Sequence, residues 1–143
     1  VLTRIAVGEP GAGPYAVAVD ATGVAWVTLV HSGQVARLAP DGPPELHDLG
    51  NPAARPSLLA IGADGAVWVT RGGDDRIDRL DGTRRSFEAG GGPFGIAAGP
   101  DGGIWFTAAA ADAVGRLTPD GEVALTPVPG PSGMPAMITA GPD

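Results

Sequence analysis

The sequence predicts an all-β fold made of repeated four-stranded units, and three observations carry that expectation. First, a fifteen-residue phrase recurs: "PYAVAVDATGVAWVT" from Pro14, "PSLLAIGADGAVWVT" from Pro56 and "PFGIAAGPDGGIWFT" from Pro93, with a fourth copy, "PAMITAGPD", opening at Pro135. Second, turn formers are abundant (24 Gly and 15 Pro), yet 43% of the chain is hydrophobic, which argues for many short buried strands over disorder. Third, no segment sustains the apolar spacing of three and four that a helix needs.

The copies hold register beyond the phrase itself. Nine residues after each opening proline stands a glycine (Gly23, Gly65, Gly102), twelve after it a tryptophan (Trp26, Trp68, Trp105), and twenty-three after it an arginine (Arg37, Arg79, Arg116). The prolines are spaced by 42, 37 and 42 residues. A period near 40 containing several short strands is the signature of a β-propeller blade.

Each copy divides into four strands. In the third, strand A is Phe94–Ala98, and Pro100-Asp101-Gly102 supplies the tight turn into strand B, Gly103–Thr107. Strand C is Ala113–Thr118, and a second turn, Pro119-Asp120-Gly121, leads into strand D, Glu122–Val128. Strand C carries apolar residues on both faces (Val35 and Leu38, Ile77 and Leu80, Val114 and Leu117), as expected of a sheet covered on both sides by neighbouring blades. Strand D is more polar, which suits an outer edge that must stay soluble; His47 in it is expected to face solvent.

Three complete blades, 14–55, 56–92 and 93–134, do not close a ring, because propellers have about four to eight. The residues on either side read as lone strands: Thr3–Val7 as a strand D, and 135–143 as the start of a fourth blade with its strand A at Met137–Ala140. The whole, 1–143, therefore reads as one segment comprising about half of a propeller, its remainder lying in the same or another chain.

Charge and composition narrow the function. All nine basic residues are arginine, sixteen residues are acidic, and the formal net charge is −7, so a nucleic-acid partner is not expected. Cysteine is absent, which excludes disulfides, thiolate nucleophiles and zinc–thiolate sites. No stretch approaches a membrane span and nothing resembles a signal peptide, so the expected location is cytoplasmic, away from membranes.

The phrases "GPYAVAVDATGVAWVT", "PFGIAAGPDGGIWFT" and "AVGRLTPDGEV" resemble the streptogramin lyases, the virginiamycin B lyase family, along essentially the whole chain and best in that family's N-terminal half. The resemblance implies a seven-bladed propeller. It also implies a Mg²⁺-dependent carbon–oxygen lyase that linearises a cyclic depsipeptide antibiotic by elimination, and so inactivates it. In such enzymes a histidine acts as general base on the carbon beside the ester carbonyl, Mg²⁺ polarises that carbonyl, and the ester oxygen leaves. The family's key histidine directly follows a blade-opening proline in a later blade; here those positions hold Tyr15, Ser57, Phe94 and Ala136. The glutamate that commonly follows Trp-Phe-Thr is replaced by Leu29, Arg71 and Ala108. No catalytic residue and no metal ligand is therefore expected within this chain. Two other readings stay open: a non-catalytic propeller whose rim grips a small ligand or a protein, and a lactonase-type hydrolase.

The candidate substrate contacts are Tyr15, Phe94 and His31, all expected on the rim shared by the D-to-A connections and the B-to-C loops. Tyr15 matches the Gly-Pro-Tyr that opens the first blade in the family. His31 sits in a B-to-C loop and could titrate usefully, although an exposed loop histidine is the plainer reading. Asp74-Asp75 is a carboxylate pair whose neighbours, Arg71 and Arg76, favour a solvated charged loop. Arg37, Arg79 and Arg116 recur in every blade and are expected to be architectural. Ser132 lacks the Gly-x-Ser-x-Gly elbow of a serine nucleophile.

Overall fold

The computed structural model describes residues 1–142, so Asp143, which falls in the expected start of a fourth blade, lies outside the described residues. Twelve strands form three four-stranded antiparallel sheets. The first blade holds β1 (Pro14–Val19), β2 (Ala25–Leu29), β3 (Gln34–Leu38) and β4 (Glu45–Asp48). The second holds β5 (Pro56–Ile61), β6 (Val67–Arg71), β7 (Arg76–Leu80) and β8 (Arg84–Glu88). The third holds β9 (Pro93–Ala98), β10 (Ile104–Ala108), β11 (Ala113–Leu117) and β12 (Val123–Pro127), with a 3-10 turn at Ala109–Ala111. In each sheet the strands pair in sequence order, and no helix among the described residues is long and apolar enough to cross a membrane.

Local chemistry explains each hairpin. Gly23, Gly65 and Gly102 take φ near +80°, a conformation that costs glycine nothing, at the turn between the first two strands of each blade. Every blade also slips register at the start of its first strand, between Pro14 and Val17, between Pro56 and Leu59, and between Phe106 and Ala108 on the partner side. The amide freed by each slip is taken by a threonine hydroxyl: Thr28 accepts from Ala16 N–H, Thr70 from Leu58 N–H and Thr107 from Gly95 N–H.

The core lies between blades. Val35 and Leu49 of the first blade meet Val67, Val69 and Leu80 of the second. Trp68 and Ile77 of the second meet Ile96, Ile104, Phe106 and Leu117 of the third. Period-two alternation therefore sends successive side chains into different inter-blade layers. Gly115 must be glycine, because a Cβ there would overlap the Phe106 ring.

Two expectations differ from the structure. Neither Thr3–Val7 nor Met137–Ala140 forms a strand, since a strand requires a ladder neighbour and neither segment has one among the described residues. The second segment still docks as a first strand would, with Thr107 Oγ1 donating to Ala136 O at 3.0 Å. His47 is not a simple solvent-facing residue. Its ring packs on Trp26 at 5.5 Å between centroids, and its Nε2 is buried without a hydrogen-bond partner. Phe87 occupies the equivalent place in the second blade, stacked on Trp68 at 5.9 Å.

Candidate functional site

The chain's candidate site is a rim at one end of the blades. The connections that lead into each blade and the loops between second and third strands meet there. His31 N–H donates to Ala12 O, Gly73 N–H to Ala54 O, and Ala110 N–H to Gly91 O, tying loop to connection in all three blades. Gly73 permits this contact in the second blade, because a Cβ there would overlap the backbone at Ala53, and Gly33 lets the first blade's loop approach the connection into the second, at Asn51.

A further repeat, nineteen residues after each opening proline, organises the rim and was not singled out in the sequence. Gly33, Asp75 and Asp112 sit there with φ of 69°, 57° and 48°. Their carbonyls accept from Leu49, Ala89 and Val128 N–H, which holds the end of the outer strand. Asp75 and Asp112 also extend a carboxylate to the N–H of Gly92 (2.8 Å) and Met134 (2.7 Å), the residues that precede the next blade's proline. The shared offset is a signal that could have revealed them.

The structure brings two of the three sequence candidates together. The Tyr15 and Phe94 rings meet edge to face, 6.5 Å between centroids and 69° between planes. They belong to the blades flanking the second, and they meet across it. Ser57, at the equivalent position there, is buried and donates its hydroxyl to Arg55 O. Tyr15 remains 56% exposed, so the pair presents an aromatic surface. His31 lies beside the connection into Tyr15, its ring against Gly13 and its Nδ1 3.2 Å from Gly11 O.

Asp74 and Arg71 behave differently from a solvated loop. Arg71 is 3% exposed and Asp78, beside it, is fully buried. Arg71 pairs with Asp74, with Asp78 at 2.8 Å and with Leu49 O of the first blade at 3.0 Å. Arg84 also reaches Asp78, and Asn51 donates to Asp74 at 2.8 Å. Burial alone would push the Arg71 guanidinium's pKa down, but its hydrogen bonds to Asp74 and Asp78 and their charges outweigh it and hold it above the usual value. The result is a buried ionic staple between the first and second blades, close beneath the rim.

The recurring arginines stand toward the other end of the blades. Arg37, Arg79 and Arg116 lie over the rings of Trp26, Trp68 and Trp105 at 5.6–5.8 Å. Arg79 and Arg116 brace the turn carboxylates Asp64 and Asp101, and these hydrogen bonds hold both carboxyls below the ordinary range. In the first blade the turn carboxylate sits two positions earlier, at Asp20, where it accepts from Thr22 and from Trp26 Nε1.

Among the described residues no three His, Asp or Glu side chains gather closely enough to share a metal ion. The rim carboxylates are already engaged: Asp74 with Arg71 and Asn51, Asp75 and Asp112 with backbone N–H groups. These residues do not fit a Mg²⁺ site.

Blades of four antiparallel strands, stitched side by side and with a loop-built rim, define a β-propeller protein. Residues 1–143 match the virginiamycin B lyase family, and the chain belongs to it. It aligns with a streptogramin B lyase structure at a TM-score of 0.93 and 29% identity, over 99% of this chain and 49% of the other. A catalytically inactive virginiamycin B lyase from Staphylococcus aureus, solved with quinupristin, aligns at 0.88 and 30% identity, covering 94% of this chain and 48% of its own. Virginiamycin B lyase from Saccharopolyspora erythraea is 49% identical over 43 residues, 30% of this chain and 14% of that protein. The chain thus spans about half the length of the solved relatives it matches.

Proposed function

We propose that this chain is part of a carbon–oxygen lyase that opens a streptogramin-type cyclic depsipeptide by elimination. The observation that carries the reading is the family match over residues 1–143, supported by the likeness to a lyase solved with quinupristin. In this reading the chain supplies one wall of the binding face, with Tyr15 and Phe94 as its aromatic surface and His31 at its margin. The general base, and the ligands of the Mg²⁺ the reaction requires, come from the remaining half of the propeller. The positions after the opening prolines here hold Tyr15, Ser57, Phe94 and Ala136, none of them a histidine. The same reading places the protein in the cytoplasm, which fractionation of producing cells tests.

The decisive experiment incubates the whole protein with quinupristin and Mg²⁺ and follows the products by mass spectrometry. Elimination opens the ring with no change of mass, whereas a lactonase-type hydrolysis adds one water. Tight binding without conversion would instead support a non-catalytic binding propeller.

A further inference from the structure

Each blade is entered through a residue in the left-handed region, one position before its opening proline. These residues are Gly13 (φ 71°), Arg55 (φ 49°), Gly92 (φ 64°) and Met134 (φ 36°). At the first and third blades the residue is glycine, which takes this conformation freely. At the second it is arginine; there, as at Met134 before Pro135, a Cβ makes the same backbone costly, and the following proline narrows the choices further. Nothing in the backbone asks for that side chain, because glycine serves the identical turn on either side of it. Strained residues of this kind concentrate where a ligand is held.

The ion pairing of the chain separates Arg55 from the other arginines as well. Arg37, Arg71, Arg76, Arg79, Arg84, Arg85 and Arg116 all pair with carboxylates. Among the described residues only Arg55 and Arg4, the latter in the N-terminal segment, have no such partner. Arg55 is exposed, although both its neighbours, Ala54 and Pro56, are buried. It stands at the entry of the second blade, between the blades that contribute Tyr15 and Phe94, and its carbonyl anchors the hydroxyl of the buried Ser57 beneath it. An exposed guanidinium with no carboxylate partner, carried two residues before the second blade's counterpart of Tyr15 and Phe94, is suited to a ligand that joins a ring to an acceptor oxygen: the planar fork takes the oxygen and the rings take the apolar part.

We propose that Arg55 is a ligand-recognising residue of the rim, donating hydrogen bonds to a carboxylate or carbonyl oxygen of a ligand whose ring lies against Tyr15 and Phe94. This rests on the reading of the rim as the binding face, but not on the lyase chemistry. The test compares the unaltered whole protein with Arg55→Gly and Arg55→Gln, using benzoate and quinupristin as probes. Binding of both is followed by NMR shifts of the Tyr15 and Phe94 ring protons. Arg55→Gly restores the residue used by the neighbouring blades, so its melting temperature is expected to hold or rise while affinity for both probes falls at least tenfold. Arg55→Gln, which keeps side-chain bulk but loses the charge, should weaken benzoate most. Equal binding by Arg55→Gly, or no ring-proton shift with either probe in the unaltered protein, overturns the proposal. Quinupristin turnover by the same unaltered protein reports on the lyase reading separately, so the two fail independently.

Discussion

Thr70 in the second blade donates its hydroxyl to the carbonyl of Phe94 in the third at 2.7 Å. The Thr70 hydroxyl oxygen also accepts the N–H of Leu58, left free by the register slip in its own sheet. Thr28 and Thr107 repeat the arrangement, donating to Ser57 O and Ala136 O. One buried hydroxyl thus satisfies a backbone defect inside a blade and ties that blade to the next. The rim residues Ser57 and Phe94 inherit their positions from this link.

Thr70→Val keeps the shape but leaves the Leu58 N–H and the Phe94 carbonyl without that partner. It should lower stability by about 1–3 kcal/mol. Thr70→Ser should recover most of the loss. Denaturant titration of the three proteins checks this, and a valine variant as stable as the threonine protein would remove the link from the account.

The buried staple makes a larger prediction. Arg71→Met leaves Asp78, fully buried, with only the more exposed Arg84 as its cationic partner. Stripping one side of such a pair costs about 3–5 kcal/mol. The double variant Arg71→Met, Asp78→Leu should regain much of that, because it removes both charges. If the single and double variants unfold at the same denaturant concentration, the ionic network is not what joins these blades.

His47 offers a stabilising change. Its Nε2 is buried and unpartnered against Trp26, whereas the equivalent Phe87 stacks on Trp68 with no polar atom to satisfy. His47→Phe should therefore raise stability, by about 1 kcal/mol or more, since an unpaired buried polar group costs on the order of 1–3 kcal/mol. A calorimetric melting temperature that fails to rise counts against this packing.

Asp20 predicts how the first blade responds to acid. Hydrogen bonds from Thr22 and Trp26 hold its carboxyl at about 2, below the ordinary 3.8. The folded state thus favours the ionised form. Its contribution is fully present above pH 3.8 and is lost as pH falls through about 2. Asp20→Asn should flatten the stability profile between those values and leave its slope near neutrality unchanged. Urea midpoints measured across that range decide it.

Much of this fold was legible in the residues alone. The turn glycines Gly65 and Gly102, the strand limits within about a residue of those observed, and the two-faced third strands all follow from local rules. The rim candidates Tyr15 and Phe94 were legible too, through their place after the opening prolines. Their edge-to-face contact was not, because they are 79 positions apart and meet only across an intervening blade. Arg55 gave no signal, since a positive φ cannot be read from an arginine, and His47 misled because a polar residue on an outer strand ordinarily faces water.

By itself the sequence determined the repeat, the four strands of each blade and the turns between them, since each depends on neighbours a few residues away. The tertiary structure alone decided which faces meet between blades, that Arg71 and Asp74 belong to a buried staple and not a solvated loop, and that a threonine hydroxyl joins one blade to the next. Those outcomes depend on how one twisted sheet lies against another. That geometry arises only when apolar faces from distant parts of the chain are buried together and most of the polar atoms trapped between them find partners there.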